Sequence, residues 1–117
     1  MRSLGGRLST RWAPVDWALE VEKYGAGEIL LTSIDCEGSW QGFDINLIKS
    51  ITSAVNIPVI AHGGAGCLND ISEVVTAANA SAVGLGSLVL YQKKGMGVLV
   101  NFPTQAELKV LLGNIKN

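Results

Sequence analysis

The sequence is poor in charge and in cysteine, and it has no long apolar run. Only 16% of its 117 residues are charged and the formal net charge is −1, so neither a nucleic acid nor a membrane surface is expected as a partner. No apolar stretch approaches the roughly 20 residues of a membrane span. Cys36 and Cys67 are too few for a disulfide framework, and we expect reduced thiols in a cytoplasmic protein.

Apolar residues and glycine, by contrast, are abundant. Apolar residues make up 48% of the chain, and 14 residues are glycine. A short chain of this composition must bury much of its surface, either in its own core or against a partner. The length suffices for one small domain, whereas a complete (β/α)8 barrel needs roughly 250 residues.

Glycine, proline and helix-capping residues divide the chain into alternating helices and strands. Capping signals and apolar periodicity predict helices over 14–24, 44–55, 69–78 and 104–113, with Asn69 or Asp70 as the cap of the third. Short apolar runs predict buried strands over 28–34, 57–61 and 82–86. The alternation indicates parallel strands that are covered on both faces.

The predicted fold class is therefore α/β, as a partial (β/α)8 barrel with parallel strands, and an open doubly wound sheet is the alternative. We expect one domain over residues 1–117. Its predicted parts are a loop or arm over 1–13, three βα units over 14–91, and a tail with the last helix over 92–117.

The strongest local signal for a binding site is the glycine loop 62–66, His-Gly-Gly-Ala-Gly, directly after a predicted strand. Gly86-Ser87 ends the next strand and adds a hydroxyl group. Glycines let backbone N–H groups approach an anion without hindrance from a Cβ atom. Tight turns alone also require such glycines, but two of these loops at neighbouring strand ends favour a phosphate site.

Two carboxylates, Asp35 and Glu37, lie just past the end of the first predicted strand. They are candidates for binding ligand hydroxyl groups or for moving a proton, and a solvated loop explains them equally well. We predict no metal and no cofactor, because no standard zinc pattern is formed by the nearby residues His62, Cys36 and Cys67.

Several sequence segments closely resemble the cyclase subunit of imidazole glycerol phosphate synthase, the HisF-like family. They are 25–35, Gly42-Phe43-Asp44, 58–61 with 63–66, and Gly5-Gly6-Arg7. The resemblance covers residues 4 to about 91. It implies the C-terminal half of a (β/α)8 barrel, with the equivalents of strands six to eight.

The resemblance also implies a lyase activity in histidine biosynthesis. In that reaction the cyclase takes ammonia from a glutaminase partner and uses it on a phosphorylated ribonucleotide. The residues that would hold a substrate phosphate or line its pocket are Thr32, Asp35, Glu37, Gly38, Ser39, Gly63, Gly64, Gly86 and Ser87. Glu28, at the opposite end of its strand, would belong to the gate where ammonia enters.

The sequence also departs from the family pattern. The family's two catalytic aspartates lie on strands one and five, and this chain begins after strand five, so we expect it to be inactive alone. Glu37 stands where aspartate is usual and His62 where a small residue is usual. The tail 93–103 looks more like paralogues associated with amidation of surface-polysaccharide sugars, which is an alternative function.

A third possibility is a half-barrel that binds phosphate without catalysis and associates with itself. Three strands cannot close a barrel, since closure takes about eight. Leu30, Thr32, Val59 and Val83 or its neighbours are expected to face the barrel interior and to be left against water. We therefore expect a homo-oligomer.

Overall fold

The computed structural model describes residues 1–93 and 95–113. Lys94 and residues 114–117 of the predicted tail lie outside this part. The strands are β1 Arg2–Ser3, β2 Leu8–Ser9, β3 Ile29–Thr32, β4 Val59–His62 and β5 Ala82–Gly84. The helices are α1 Pro14–Lys23, α2 Ile45–Thr52, α3 Leu68–Ala78, α4 Ser87–Leu90 and α5 Gln105–Leu112. No helix of the described residues is both long and apolar enough to cross a bilayer.

Strands β3, β4 and β5 form a parallel sheet in that order, and β1 pairs with β2 in a short antiparallel hairpin. The register places Thr32 beside His62 and His62 beside Gly84. All three strands therefore end at the same edge of the sheet. The α/β prediction with parallel strands is confirmed.

Among the described residues, helices cover one face of the sheet and leave the other open, so the expectation of strands covered on both faces is wrong for this chain. Val59 and Ala61 are almost fully buried on the covered face, while Leu30 on the other face is 64% exposed. The strands follow one another across the sheet without reversing direction. Since crossovers between parallel strands are right-handed, successive helices then fall on the same side. A doubly wound sheet requires a reversal of strand order, which these three strands lack.

The alternation of side chains along the strands corrects one residue expected on the barrel face, Val59, and selects among Val83 and its neighbours. Val59 packs in the core with α1 and α2, and Val83 packs against the core cluster of α2 and α3. Side chains alternate along a strand, and Leu30 pairs in register with Ile60, which pairs with Ala82. The open face therefore carries Leu30, Ile60 in place of Val59, and Ala82, a neighbour of Val83.

The core consists of two clusters between the sheet and the helices. The first joins α2, α3 and β4 through Phe43, Ile48, Ala61, Val74, Ala78 and Ala80. The second joins α1, α2 and β4 through Ala18, Ile51, Val55 and Val59. These clusters fix the helices on one face and thereby set where the loops at the strand ends begin.

Local signals set three of the helix starts as predicted. Pro14 opens α1, and Asp44 caps α2 by accepting a hydrogen bond from the Leu47 N–H at 3.0 Å. At α5, Thr104 and Glu107 form the expected capping box, with the Thr104 N–H donating to Glu107 at 2.7 Å. Hydrogen bonds from Thr104 lower the pKa of Glu107. The bond from the Thr104 N–H has the larger effect, and the bond from the Thr104 hydroxyl has the smaller one.

The cap of α3 is Cys67, so the prediction of Asn69 or Asp70 is wrong. Asp70 is the third residue of the helix, and its carboxylate reaches back to accept from the N–H groups of Gly66 and Cys67 at 2.8 and 3.1 Å. The carboxylate thus satisfies amide groups at the helix start from within the first turn. The strong preference of aspartate for the cap itself explains the error.

Candidate functional site

A narrow cleft lies where the loops after β3, β4 and β5 meet. Because these strands are parallel neighbours, residues far apart in the sequence reach the same edge of the sheet. Residues of all three loops line the cleft: Glu37, Gly38, Gly63, Gly64, Ala65, Gly84, Gly86 and Ser87.

Packing around the loop after β4 requires glycine at two successive positions. Gly63 and Gly64 have φ values of +100° and +109°, in the region that favours glycine. A Cβ atom on Gly63 would lie 2.7 Å from the Ser33 carbonyl oxygen, and one on Gly64 would collide with the carbonyl of Gly42. The turn and the close backbone approach thus explain both glycines without a ligand.

The backbone N–H groups in the cleft point to a further role. The Gly42 N–H donates to the Gly64 carbonyl at 2.8 Å, but the N–H groups of Gly64 and Gly86 donate to no oxygen of the described residues. Gly64 is buried, and buried N–H groups are almost always paired with protein, water or ligand. Gly64 and Gly86 both line the cleft together with Ser87, whose hydroxyl is a further potential donor.

Two ionisable side chains border this cleft. The Glu37 carboxylate lies 3.8 Å from Nε2 of His62, and the other ring nitrogen of His62, Nδ1, is 3.1 Å from the Thr32 hydroxyl. Gly84 leaves room for the imidazole, because a Cβ atom there would lie 3.0 Å from the ring carbon Cδ2. The three side chains form a polar row from the end of β3 to the cleft.

The cleft brings together six of the predicted site residues: Glu37, Gly38, Gly63, Gly64, Gly86 and Ser87. Thr32 is connected to it only through His62. Asp35 and Ser39 do not line it, and the Ser39 hydroxyl instead accepts from the Gln41 N–H at 3.2 Å. The loop 35–39 turns after Ser33, whose carbonyl accepts from the Glu37 N–H at 2.9 Å, so only part of it reaches the cleft.

Glu28 lies at the other end of β3 from the cleft. It is exposed and lines a separate groove of about 470 Å3 beside α1 and the N-terminal hairpin. That groove also contains Thr32.

The residues predicted individually for this site did not include His62, Ala65 or Gly84, although His62 and Ala65 belong to the predicted glycine loop 62–66. His62 was considered as a zinc ligand and as a departure from the family pattern, although its position at a strand end beside glycines was a signal for this site. Gly84 carried no signal of its own, because its role depends on the register that puts it next to His62. Among the described residues, no three His, Cys, Asp or Glu side chains cluster as metal ligands would.

The model of the histidine biosynthesis protein family matches residues 2–95. This chain belongs to that family. Its sequence is 45% identical over 106 residues to the imidazole glycerol phosphate synthase subunit HisF of Prochlorococcus marinus strain MIT 9312. It is 56% identical over 90 residues to the same subunit of strain MIT 9515, and 49% identical over 89 residues to that of Anoxybacillus flavithermus.

These alignments cover most of this chain but less than half of each relative. The match to the strain MIT 9312 subunit spans 91% of this chain and 41% of the relative. The matches to the strain MIT 9515 and Anoxybacillus subunits span 77% and 76% of this chain, and 35% of each relative.

Proposed function

We propose that this chain is the phosphate-binding C-terminal half of a cyclase subunit of imidazole glycerol phosphate synthase. One observation carries the proposal. Glycine-rich loops from neighbouring parallel strands meet at one cleft, and the N–H groups of Gly64 and Gly86, two of its lining residues, have no acceptor among the described residues. Backbone N–H groups in such a concavity suit the oxygens of a phosphate.

The topology of the parallel sheet supports this proposal. Three parallel strands in sequential order, with helices on one face only, fit a segment of a (β/α)8 barrel whose interior face is the open face of this sheet. In such barrels the phosphate site forms from the loops after strands seven and eight. In the proposed correspondence β4 and β5 are those two strands, and β3 is strand six.

The remaining predicted residues take roles around the phosphate. Thr32, Asp35 and Ser39 would line the part of the substrate pocket beyond the cleft. Glu28 would lie at the opposite mouth of the barrel, where ammonia from a glutaminase subunit enters. Asp35 and Glu37 are candidates for proton transfer, but without the family's two aspartates we expect no turnover of the phosphorylated ribonucleotide by this chain alone.

We also propose that the chain acts in the cytoplasm and that its open sheet face is covered by a second copy when no other partner is present. Leu30 and Ile34 are 64% and 52% exposed. Apolar side chains on an unpaired sheet favour association, and a two-fold symmetric dimer is the commonest form.

A specific observation keeps a second function open, the amidation of surface-polysaccharide sugars. The match to the family model ends at residue 95. The following segment folds back on α4, where the Asn101 N–H donates to the Val89 carbonyl at 2.8 Å and Tyr91 bridges Val98. An aspartate at the end of a first barrel strand, encoded upstream of this chain, would favour the cyclase.

Calorimetric titration tests the proposed phosphate site. Imidazole glycerol phosphate should bind, whereas imidazole glycerol, which lacks the phosphate, should not. The Ser87→Ala variant should weaken binding about three- to tenfold through loss of one hydrogen bond. Ser81→Ala is the matched control, since Ser81 is exposed at the other end of β5. Equal binding of the two compounds, or no binding of either, would contradict the proposal.

A further inference from the structure

A side-chain carboxylate already lies in the cleft. One oxygen of Glu37, Oε2, is 3.4 Å from the place where a Cβ atom on Gly63 would be, and the other is 3.6 Å from the corresponding place on Gly86. The free volume that remains in the cleft is about 10 Å3, which is the space of a single water molecule. Glu37 therefore occupies space that a phosphate would need.

The imidazole of His62, at the end of β4, lies beside this carboxylate. Its ring is positioned by the Thr32 hydroxyl at Nδ1 and by the absence of a side chain on Gly84. When Thr32 donates to Nδ1, the proton of the neutral ring is on Nε2, the nitrogen that is 3.8 Å from Glu37. Nε2 is then a donor directed at the anion in the cleft.

We propose that His62 is an anion-binding residue of this site and that Glu37 is the group its ligand must displace. A phosphate oxygen takes the place of the Glu37 carboxylate, between Nε2 of His62 and the glycine N–H groups. The inference rests on the proposed phosphate site and adds a donor and a competitor to it.

Displacement of Glu37 is physically easy. The separation of 3.8 Å is longer than a hydrogen bond, and the side chains of His62 and Glu37 are 30% and 41% exposed. Even with a protonated ring, a partly exposed pair of this kind would contribute little stability. A phosphate that binds both the imidazole and the amide groups has more favourable contacts than the carboxylate it replaces.

Titration with inorganic phosphate, followed by calorimetry, separates the two roles. Glu37→Gln removes the competing charge at the same size and should bind phosphate at least about fivefold more tightly than the unmodified chain. Glu73→Gln makes the same chemical change on an exposed position of α3 and should leave the affinity unchanged. His62→Ala should weaken binding about three- to tenfold, and His62→Gln, which retains an N–H donor, should restore most of it.

NMR signals of the His62 ring distinguish anion binding from a purely structural role. A residue with a purely structural role would show no change in chemical shift when phosphate is added. The nitrogen shift of Nε2 should move as phosphate is added, and the Glu37 carboxyl carbon should move with it. Phosphate binding with equal affinity in all variants, and with an unmoved His62 ring, would overturn this inference while the phosphate site stands. Failure of both the unmodified chain and Glu37→Gln to bind phosphate would overturn the proposed function as well.

Discussion

Replacing Gly64 with alanine should destabilise the chain strongly, because the backbone at this position leaves no room for a side chain. The φ of +109° lies where alanine is strained, at a cost of about 1–3 kcal/mol. The new Cβ would collide with the Gly42 carbonyl and lie 3.0 Å from Cβ of Cys36. Overpacking of this kind adds about 1–3 kcal/mol. The expected loss is about 2–6 kcal/mol, a large part of the roughly 5–15 kcal/mol that stabilises a domain.

Urea unfolding monitored by circular dichroism measures this loss as a decrease of the midpoint at constant slope. Gly27→Ala is the matched control. A Cβ atom on Gly27 meets nothing within 4 Å and its φ lies outside the left-handed region, so its free energy of unfolding should stay within about 0.5 kcal/mol of the unmodified chain. A Gly64→Ala variant as stable as the control would refute the packing argument for the glycine loop.

Three further predictions concern the helix caps and the open sheet face. Asp44→Ala should lower the free energy of unfolding by about 1 kcal/mol through loss of the hydrogen bond from the Leu47 N–H. Asn46→Ala, at an exposed position of the same helix, is the control. Equal urea midpoints for the two variants would contradict this prediction. The Thr104 N–H lowers the pKa of Glu107 in the folded chain. The ionised Glu107 carboxylate therefore stabilises the fold fully at pH values above the pKa that Glu107 has in the unfolded chain. This stabilisation is lost as the pH falls through the lower pKa that Glu107 has in the folded chain. The helical signal of α5 should weaken over that window, and a Glu107→Gln variant with the same pH dependence would argue against the cap as its source. Leu30→Lys should reduce self-association in light scattering at micromolar concentration, and an unmodified chain of monomer mass at all dilutions would rule out the association.

The sequence predicted those parts of the fold that depend on neighbouring residues. Pro14, Asp44 and Thr104 open helices through contacts within one turn, so their roles follow from short segments. Parallel strands followed from the alternation of apolar runs with helices. The face of each strand did not follow, because the runs at 57–61 and 82–86 are apolar at almost every position and give no period of two. Val59 was therefore assigned to the wrong face, whereas the expectation for the third strand, Val83 or its neighbours, included Ala82, which does lie on the open face.

In the candidate site, too, features set by neighbouring residues could be predicted, whereas contacts between distant segments could not. The glycines at 63, 64 and 86 were predicted from their place at strand ends, and parallel pairing of β4 with β5 accounts for their meeting in one cleft. His62 was missed because its position in the site depends on three groups that only the folded chain brings together: Thr32 at one nitrogen, Glu37 at the other, and the missing side chain of Gly84. None of these is close to His62 in sequence.

Backbone amide NMR during titration with inorganic phosphate tests the proposed phosphate site most directly. The amide signals of Gly64 and Gly86 come from different loops, and both amides lie without an acceptor among the described residues. They should shift together along one binding curve, with Ser87 following the same curve, while Gly27 at the far end of the sheet stays still. Shifts confined to one loop, shifts with different midpoints, or no shift at these glycines would contradict a phosphate site shared by the two strand ends.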